Sequence, residues 1–412
     1  MLRTKRMSQC SNNAKLMDLP VDVLINILLR LPVKSLCCTQ CVSKTLLHIV
    51  EARSFATLVH LRLRNTASHT VAEVPQILLL TRSRANGNLT TILPSHRYDG
   101  NALRKNRQAI VSEFASSRYD YHVDFVFCNL FFFKDREYGG PCFLFNPLRG
   151  EVLFPPTSNI QVPTYRIKKI FIDWYGMGFD NTTSTHKIVR VSGNAHYRLV
   201  AQVYVLGTSS WKEIRSVPPC NLDTKDVSAY GDVHWLINLS SEGGQIRVVS
   251  FDFKKEEFCL TPPPTLRKPD VSSFLLQLLN LKGCMAIVDV SSGTDIEIWV
   301  LRSYEKKEWV RDYYINIEMM VDGPQYLGQL STSSGEWEHG IFIVEYRVNT
   351  INLFFVDIRS DSVKRISIGR GEYTRILSYT GSLISLKNYG YLAEAETGNW
   401  KHDFSKKSWQ FE

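Results

Sequence analysis

LPVDVLINILLRLPVKSLCCTQCVSKTLLHIVEARSF, Leu19 to Phe55, is the stretch that decides how this chain is built. Pro20 suits the first turn of a helix, where its missing N–H costs nothing. Val21, Leu24, Ile27, Leu28 and Leu31 fall on one helical stripe, and Pro32 stops that helix. Leu36, Cys41, Val42, Leu46, Ile49 and Val50 continue as one or two more short helices. A block this small cannot bury so many apolar side chains against itself. Part of the stripe is therefore expected to wait for another protein.

Outward from this block the texture changes. From about Val74 the helical period gives way to short apolar runs broken by Gly, Pro, Asn and Asp, the pattern of strands and tight turns. A unit recurs: an apolar strand, a polar turn, and a second strand with an aromatic or aliphatic anchor. It appears at Cys142–Pro156, Gln202–Pro218, Val248–Pro262, Glu297–Tyr313 and Leu353–Ile368, and more loosely at Tyr391–Phe404. Starts recur about every 40–60 residues, the spacing of propeller-type repeats. Upstream runs, such as Asp124–Lys134 and Asp232–Ile237, bring each unit to about four short strands, the make-up of a propeller blade. Such sheets bury their faces by stacking radially. The pattern predicts about six blades, with the strand at Gln76–Arg82 left over to pair with the last unit and close the ring. An irregular β-sandwich is the competing fold.

The fold class expected is thus a small all-α block of three helices followed by a large all-β, propeller-like domain. Residues 1–15 read as a disordered basic leader, 16–62 as the helical domain, 63–73 as a linker and 74–412 as the repeat domain. The 412 residues suffice for both, and a 44% hydrophobic content is that of a globular chain. No run approaches a membrane span. The nine cysteines form no regular framework, which fits a reducing cytoplasm or nucleus. A formal charge of +9 is mild over this length and favours an acidic partner.

The helical segment resembles an F-box. Leu19, Pro20, Asp22, Leu24, Ile27, Leu28, Arg30, Leu31, Pro32, Lys34, Ser35, Leu36, Cys41, Val42, Ser43, Lys44 and Phe55 carry the resemblance in order and spacing. The basic-then-aromatic pair usual before the cysteine is Cys38-Thr39 here, and the usual tryptophan is Leu46. The rest looks like the F-box-associated domain common in plant F-box proteins, related in pattern to kelch propellers. It is carried by Cys128-Asn129, Phe145-Asn146-Pro147, Gly176-x-Gly178-Phe179-Asp180, His186–Arg190, Val203–Leu206, Trp211-Lys212, Gly231–Trp235, Ser250–Asp252, Glu297–Trp299 and Trp309-Val310. The glycine usual after the Cys-Asn pair is replaced by Leu130.

The resemblance implies that the F-box docks on a Skp-type adaptor, itself held by a cullin–RING scaffold, while the repeat domain selects an unknown protein for ubiquitination. It implies adaptor-facing roles for Leu19, Pro20, Leu24, Ile27, Leu28, Leu31, Pro32, Leu36, Val42 and Lys44. Target-binding residues are expected on loops at one face of the repeat domain. A helical cap packed on its own sheet domain stays open as an alternative for Leu19–Phe55, as does a binding module not incorporated in a ligase.

Little else in the chain suggests chemistry. Cys37, Cys38 and Cys41 lack the second pair a structural zinc site needs. There is no phosphate loop, nucleophile elbow or HExxH, so no cofactor, metal or catalytic residue is assigned. Phe145-Asn146-Pro147 with Gly150 is turn chemistry, Asp180-x-x-Thr183 is a side-chain-stabilised turn, and Trp211, Trp235, Trp299 and Trp309 are expected as wedges between sheets. The basic clusters Arg104-Lys105-x-Arg107, Arg166-x-Lys168-Lys169 and Lys406-Lys407 read as solvated loops, so no nucleic acid is expected as a partner.

Overall fold

Proline and serine set the boundaries of the first helices. Helices α1 (Val21–Leu28) and α2 (Val33–Thr39) each follow a proline, with φ of −54° and −58°. Ser43 caps α3 (Lys44–Glu51), its hydroxyl accepting the Leu46 N–H at 3.2 Å. Ala52 is extended and separates α3 from α4 (Arg53–Arg64). The block therefore has four helices rather than the three expected. Arg62 of α4 donates to the Leu29 carbonyl and, at 2.8 Å, to that of Leu31. It thereby satisfies carbonyls that the end of α1 would otherwise strand. Leu28, Val33, Leu36, Leu46, Val50, Phe55 and Val59 form the common core.

These observations come from a computed structural model that describes residues 18–64, 75–83, 88–92, 96–98, 103–105, 112–116, 120–137, 139–158, 172–194, 197–222, 226–239, 245–266, 275–292, 295–316, 332–346, 350–369 and 373–390. The expected leader, most of the expected linker, the Tyr391–Phe404 hairpin and the clusters at Arg166 and Lys406 lie outside them.

The β domain opens with β1 (Gln76–Ser83), β2 (Asn88–Ile92), β3 (His96–Tyr98), β4 (Leu103–Lys105) and β5 (Ser112–Ser116). Five antiparallel four-stranded blades follow in chain order. The first holds β6–β9 (Tyr121–Phe127, Leu130–Asp135, Cys142–Asn146, Glu151–Leu153), and the second β10–β13 (Ile172–Asp180, Thr185–Asn194, Tyr197–Val205, Lys212–Ile214). The third holds β14–β17 (Asp226–Ala229, Asp232–Leu239, Gln245–Asp252, Glu257–Thr261), and the fourth β18–β21 (Leu276–Leu281, Cys284–Asp289, Asp295–Ser303, Glu308–Asn316). The fifth holds β22–β25 (Thr332–Trp337, Gly340–Tyr346, Thr350–Asp357, Ser362–Gly369), and β26 (Tyr373–Tyr379) ends the series.

The propeller has five such blades, not six. The remaining strands form one six-stranded sheet in which β26 pairs with β1, Gln76 opposite Tyr379 and Leu80 opposite Arg375. β26 touches β22 and β2 touches β6, so this sheet joins the fifth blade to the first. The strand left over in the sequence does close the ring, but with Tyr373–Tyr379. The first strands of successive blades touch one another and line the axis.

Recurrent chemistry builds the blades. Asn146, Asp180, Asp252, Asp289 and Asp357 each accept the N–H two residues on, at 2.8–3.0 Å, and so turn the chain. Thr183 adds its hydroxyl to Asp180 at 2.8 Å. Trp211 and Trp309 donate to the carbonyls of Pro156 and Pro262, which follow the last strand of the preceding blade. Trp211 and Trp235 are buried wedges, whereas Trp299 and Trp309 are only half-buried. At Gly178 an added Cβ would lie 2.1 Å from the Phe253 ring, so only glycine lets blades 2 and 3 approach this closely. Cys128 and Asn129, with φ of 50° and 62°, form a two-residue turn between paired Phe127 and Leu130. Such a turn suits a hairpin and puts Leu130 in the core rather than in the turn.

Candidate functional site

Six of the eight residues of α1 are apolar, too many for one buried face. Leu24 and Leu28, four apart, are buried. Val23 and Ile27 form a second pair four apart, and they remain 41% and 37% exposed. Val21, at 54%, and Val42, at 72% on the turn between α2 and α3, extend the exposed apolar surface.

The structure divides the ten residues expected to face an adaptor. Pro20, Ile27, Val42 and Lys44 are exposed, and Leu19, Leu31 and Pro32 are half-buried. Leu24, Leu28 and Leu36 are buried within the chain, so their role is to hold the helices together rather than to meet a partner. Periodicity finds the stripe but cannot tell which chain covers it. Val23 was missed, although its spacing to Ile27 was the available signal. Of the departures from the motif, Leu46 is a core residue, Cys38 is exposed, and the Thr39 hydroxyl turns back to the Leu36 carbonyl at 2.7 Å.

The buried side of the block rests on the propeller through a strap, residues 380–390, that follows β26. Leu383 enters the helical core, with Leu148 of blade 1 beside it. Gly381, at φ +101°, lies where a Cβ would be 3.2 Å from Val33. Blade 1 grips the strap by hydrogen bonds. Asn129 donates to the Thr380 hydroxyl at 2.9 Å and accepts its N–H at 2.8 Å. Asn146 donates to the carbonyls of Ser382 and Ile384 at 3.0 and 2.8 Å. Glu151 accepts from the Ser385 hydroxyl and from the Leu386 N–H at 2.5 Å.

Charge reinforces the seat. Arg149 bridges Glu151, at 3.0 Å, to Glu51 of α3, at 3.4 Å. A short 3-10 helix, Leu386–Tyr389, ends the strap. The Arg53 guanidinium stacks 4.7 Å over the Tyr389 ring, and the Tyr389 hydroxyl meets His186 Nδ1 of blade 2 at 3.1 Å. Burial pushes His186 down to about 3, with the Arg53 charge adding to the effect. Both ideas about Leu19–Phe55 therefore meet in one object: the block is packed on its own sheet domain, and it still presents an apolar outer face.

His234 Nδ1 lies 2.7 Å from the Ser250 hydroxyl, and Nε2 lies 3.1 Å from the Ala229 carbonyl. A carbonyl only accepts, so Nε2 carries the proton and Nδ1 accepts from the serine. Both side chains are fully buried, which leaves no access for a substrate. Cys37, Cys38 and Cys41 do not assemble with further ligands, and among the described residues no three of His, Cys, Asp or Glu gather as a metal site.

Comparison with known proteins agrees with this geometry. The family described as the F-box domain matches residues 16–57, and that described as the F-box associated beta propeller domain matches residues 78–389. An F-box/kelch-repeat protein of Arabidopsis thaliana is 23% identical over 301 residues, 70% of this chain and 76% of its own length. An F-box/LRR-repeat protein of the same plant is 26% identical over 332 residues, 76% of this chain and 71% of its own length. Among solved structures, TolB from Acinetobacter baumannii covers 79% of this chain and 72% of its own, at 10% identity and a TM-score of 0.41. F-box domains generally bind Skp-type adaptors. The chain belongs to the family of F-box proteins that carry an F-box associated β-propeller domain.

Proposed function

We propose that this chain is the target-recognition subunit of a Skp–cullin–F-box type ubiquitin ligase. The observation that carries the reading is the exposed apolar surface of Val21, Val23, Ile27 and Val42, flanked by Pro20 and Lys44, on a helical block whose own core is already filled. Exposed apolar surface rimmed by polar residues marks a protein contact. The partner is a Skp-type adaptor and, through it, a cullin–RING scaffold. The block sits at the end of the propeller where the first strand of blade 1 ends, and the loops at the opposite end are the ones we assign to a target protein. The chain is a receptor and performs no bond chemistry. It acts by raising the effective concentration of a target near the conjugating enzyme. Its place of action is the cytoplasm or nucleus.

Capture of a Skp-type adaptor by the purified chain tests the reading. Ile27→Asp and Val42→Asp should abolish capture by placing a charge in an apolar contact, while leaving stability within about 0.5 kcal/mol because both positions are exposed. Leu28→Asp does not serve here, since it would break the core instead. If the wild-type chain fails to capture the adaptor, the ligase role falls and a binding module outside any ligase stands in its place.

A further inference from the structure

Two thiols of the helical block face solvent. Free cysteine is among the side chains most often buried, and Cys37 follows that habit by packing against the helical core. Cys38 and Cys41 do not, since both are exposed. Cys38 lies in the last turn of α2, and Cys41 in the turn that leads to α3. The Cys41 N–H donates to the Cys38 carbonyl at 3.1 Å, so the chain folds back between them. A turn closed in this way holds its first and fourth Cα atoms within about 7 Å, and a disulfide spans about 4.4–6.8 Å between Cα atoms. Cβ atoms three residues apart on a helical turn stand about 5–6 Å from each other, against about 3.5–4.5 Å across a disulfide. A local tightening closes that gap. Cys41 can supply it, because it lies beyond the end of α2 and outside the helical core.

The surroundings select both a reagent and a consequence. Between residues 31 and 46 the charged side chains are Lys34 and Lys44, both exposed, with no acid among them. Lys34 stands four residues before Cys38, on the same face of α2. Such a rim draws an anionic reagent. The pair also adjoins the proposed adaptor surface, because Val42, 72% exposed, is the residue after Cys41. The Val42 N–H donates to the Thr39 carbonyl at 3.1 Å. The turn that brings the two thiols together is thus the turn that aims Val42.

We propose that Cys38 and Cys41 form a reversible disulfide, made by an anionic low-molecular-weight disulfide of the oxidised-glutathione class, and that the bond draws Val42 out of the adaptor contact. One cysteine thiolate attacks a sulfur of the reagent and expels one molecule of its thiolate. The other cysteine thiolate then attacks the protein sulfur of this mixed disulfide and expels the second molecule. The two cysteine sulfurs lose two electrons, the two sulfurs of the reagent gain them, and both protons end on the released thiols. Excess thiol reverses both steps, and an exposed bridge is of the labile kind. In a reducing compartment such a bond is transient and serves as a sensor. The effect on the adaptor rests on the receptor role proposed above; formation of the bond does not.

The test equilibrates the full chain in glutathione buffers of rising oxidised fraction, alkylates the remaining thiols and reads the tryptic peptide of residues 35–44 by mass spectrometry. The expected species is lighter by the two hydrogens lost at a Cys38–Cys41 bond and carries the alkyl group on Cys37. It should appear before any glutathione adduct, because the second thiol attacks within the chain at high effective concentration. Oxidation should weaken capture of a Skp-type adaptor at least about fivefold, the effect of losing one good contact residue, and dithiothreitol should restore it. Cys38→Ser should form no bond and should capture the adaptor equally in both buffers. A bond to Cys37, a lasting glutathione adduct in place of the bond, or equal capture by oxidised and reduced wild type overturns the proposal. Failure of the reduced wild type to capture the adaptor removes the receptor role and with it the effect on Val42, whereas absence of the bond removes only the proposal made here, so the two failures are read in separate assays.

Discussion

Asn146→Asp is the sharpest probe of how the helical block is held. The side chain is fully buried and all four of its hydrogen-bonding positions are used. Oδ1 accepts from the N–H groups of Leu148 and Arg149 at 3.0 and 3.3 Å, and Nδ2 donates to Ser382 and Ile384. The substitution keeps shape and turn but points an acceptor at two buried carbonyls. Stranding each costs about 1–3 kcal/mol, so the expected loss is ~2–6 kcal/mol at neutral pH. The new carboxyl is buried and faces carbonyl oxygens, so its folded-state pKa is raised. The folded state then binds the proton more readily than the unfolded, and the gap to wild type narrows as pH falls from neutral towards the ordinary carboxylate range. Urea unfolding at neutral and mildly acidic pH measures both effects. Trypsin cleavage after the exposed Lys387 reports local release of the strap and should accelerate about tenfold or more, since 1.4 kcal/mol is tenfold in population. A variant within about 0.5 kcal/mol of wild type at neutral pH, or a gap that does not change with pH, would refute the role assigned to this side chain.

Leu383→Ala should cost about 2–5 kcal/mol, as a deletion inside a filled core, and should reduce adaptor capture, whereas Leu383→Met should stay within about 1.5 kcal/mol; equal capture by both variants would show that the block does not depend on the strap. Gly178→Ala should destabilise by at least about 3 kcal/mol, because the methyl overlaps Phe253 and the Gly231 carbonyl; a normal melting temperature would contradict the packing of blades 2 and 3. Burial holds His234 down to about 4 and His186 to about 3, so the unfolded state binds the extra protons below about pH 6.5 and their contribution to stability is lost as pH falls through that window. Each accounts for ~2 kcal/mol at pH 5, and His234→Gln should flatten the fall between pH 7 and pH 5 by about that amount, with an unchanged slope counting against a neutral buried imidazole.

The helical block was legible because its stripe has a fixed period and its first two helices are announced by proline. The division of α3 from α4 was not, since Ala52 breaks the helix without glycine or proline to mark it. The blades were legible through their turns: the Asn146 and Asp180 bonds follow from residue type alone. Their number was not, because the closing sheet borrows strands from both ends of the domain. What the sequence concealed most was the strap. Ser382 to Leu386 is fully buried but too short to show a period, and its partners Asn129, Asn146 and Glu151 lie more than two hundred residues away in the chain. The same blindness placed Leu24, Leu28 and Leu36 on an outer face.

Pairing β1 with β26 has a consequence for how the molecule is made. β1 is among the first parts of the domain to leave the ribosome and β26 among the last. At ordinary synthesis rates the wait between them is on the order of tens of seconds. Through that interval Ile77-Leu78-Leu79-Leu80 is an apolar strand without its partner, a segment that invites chaperone binding. Leu383 follows β26, so the helical block, though translated first, gains its seat only when the ring shuts. A nascent or prematurely terminated chain would display the docking helices without the geometry that aims them, and completion of translation becomes a checkpoint on the whole device.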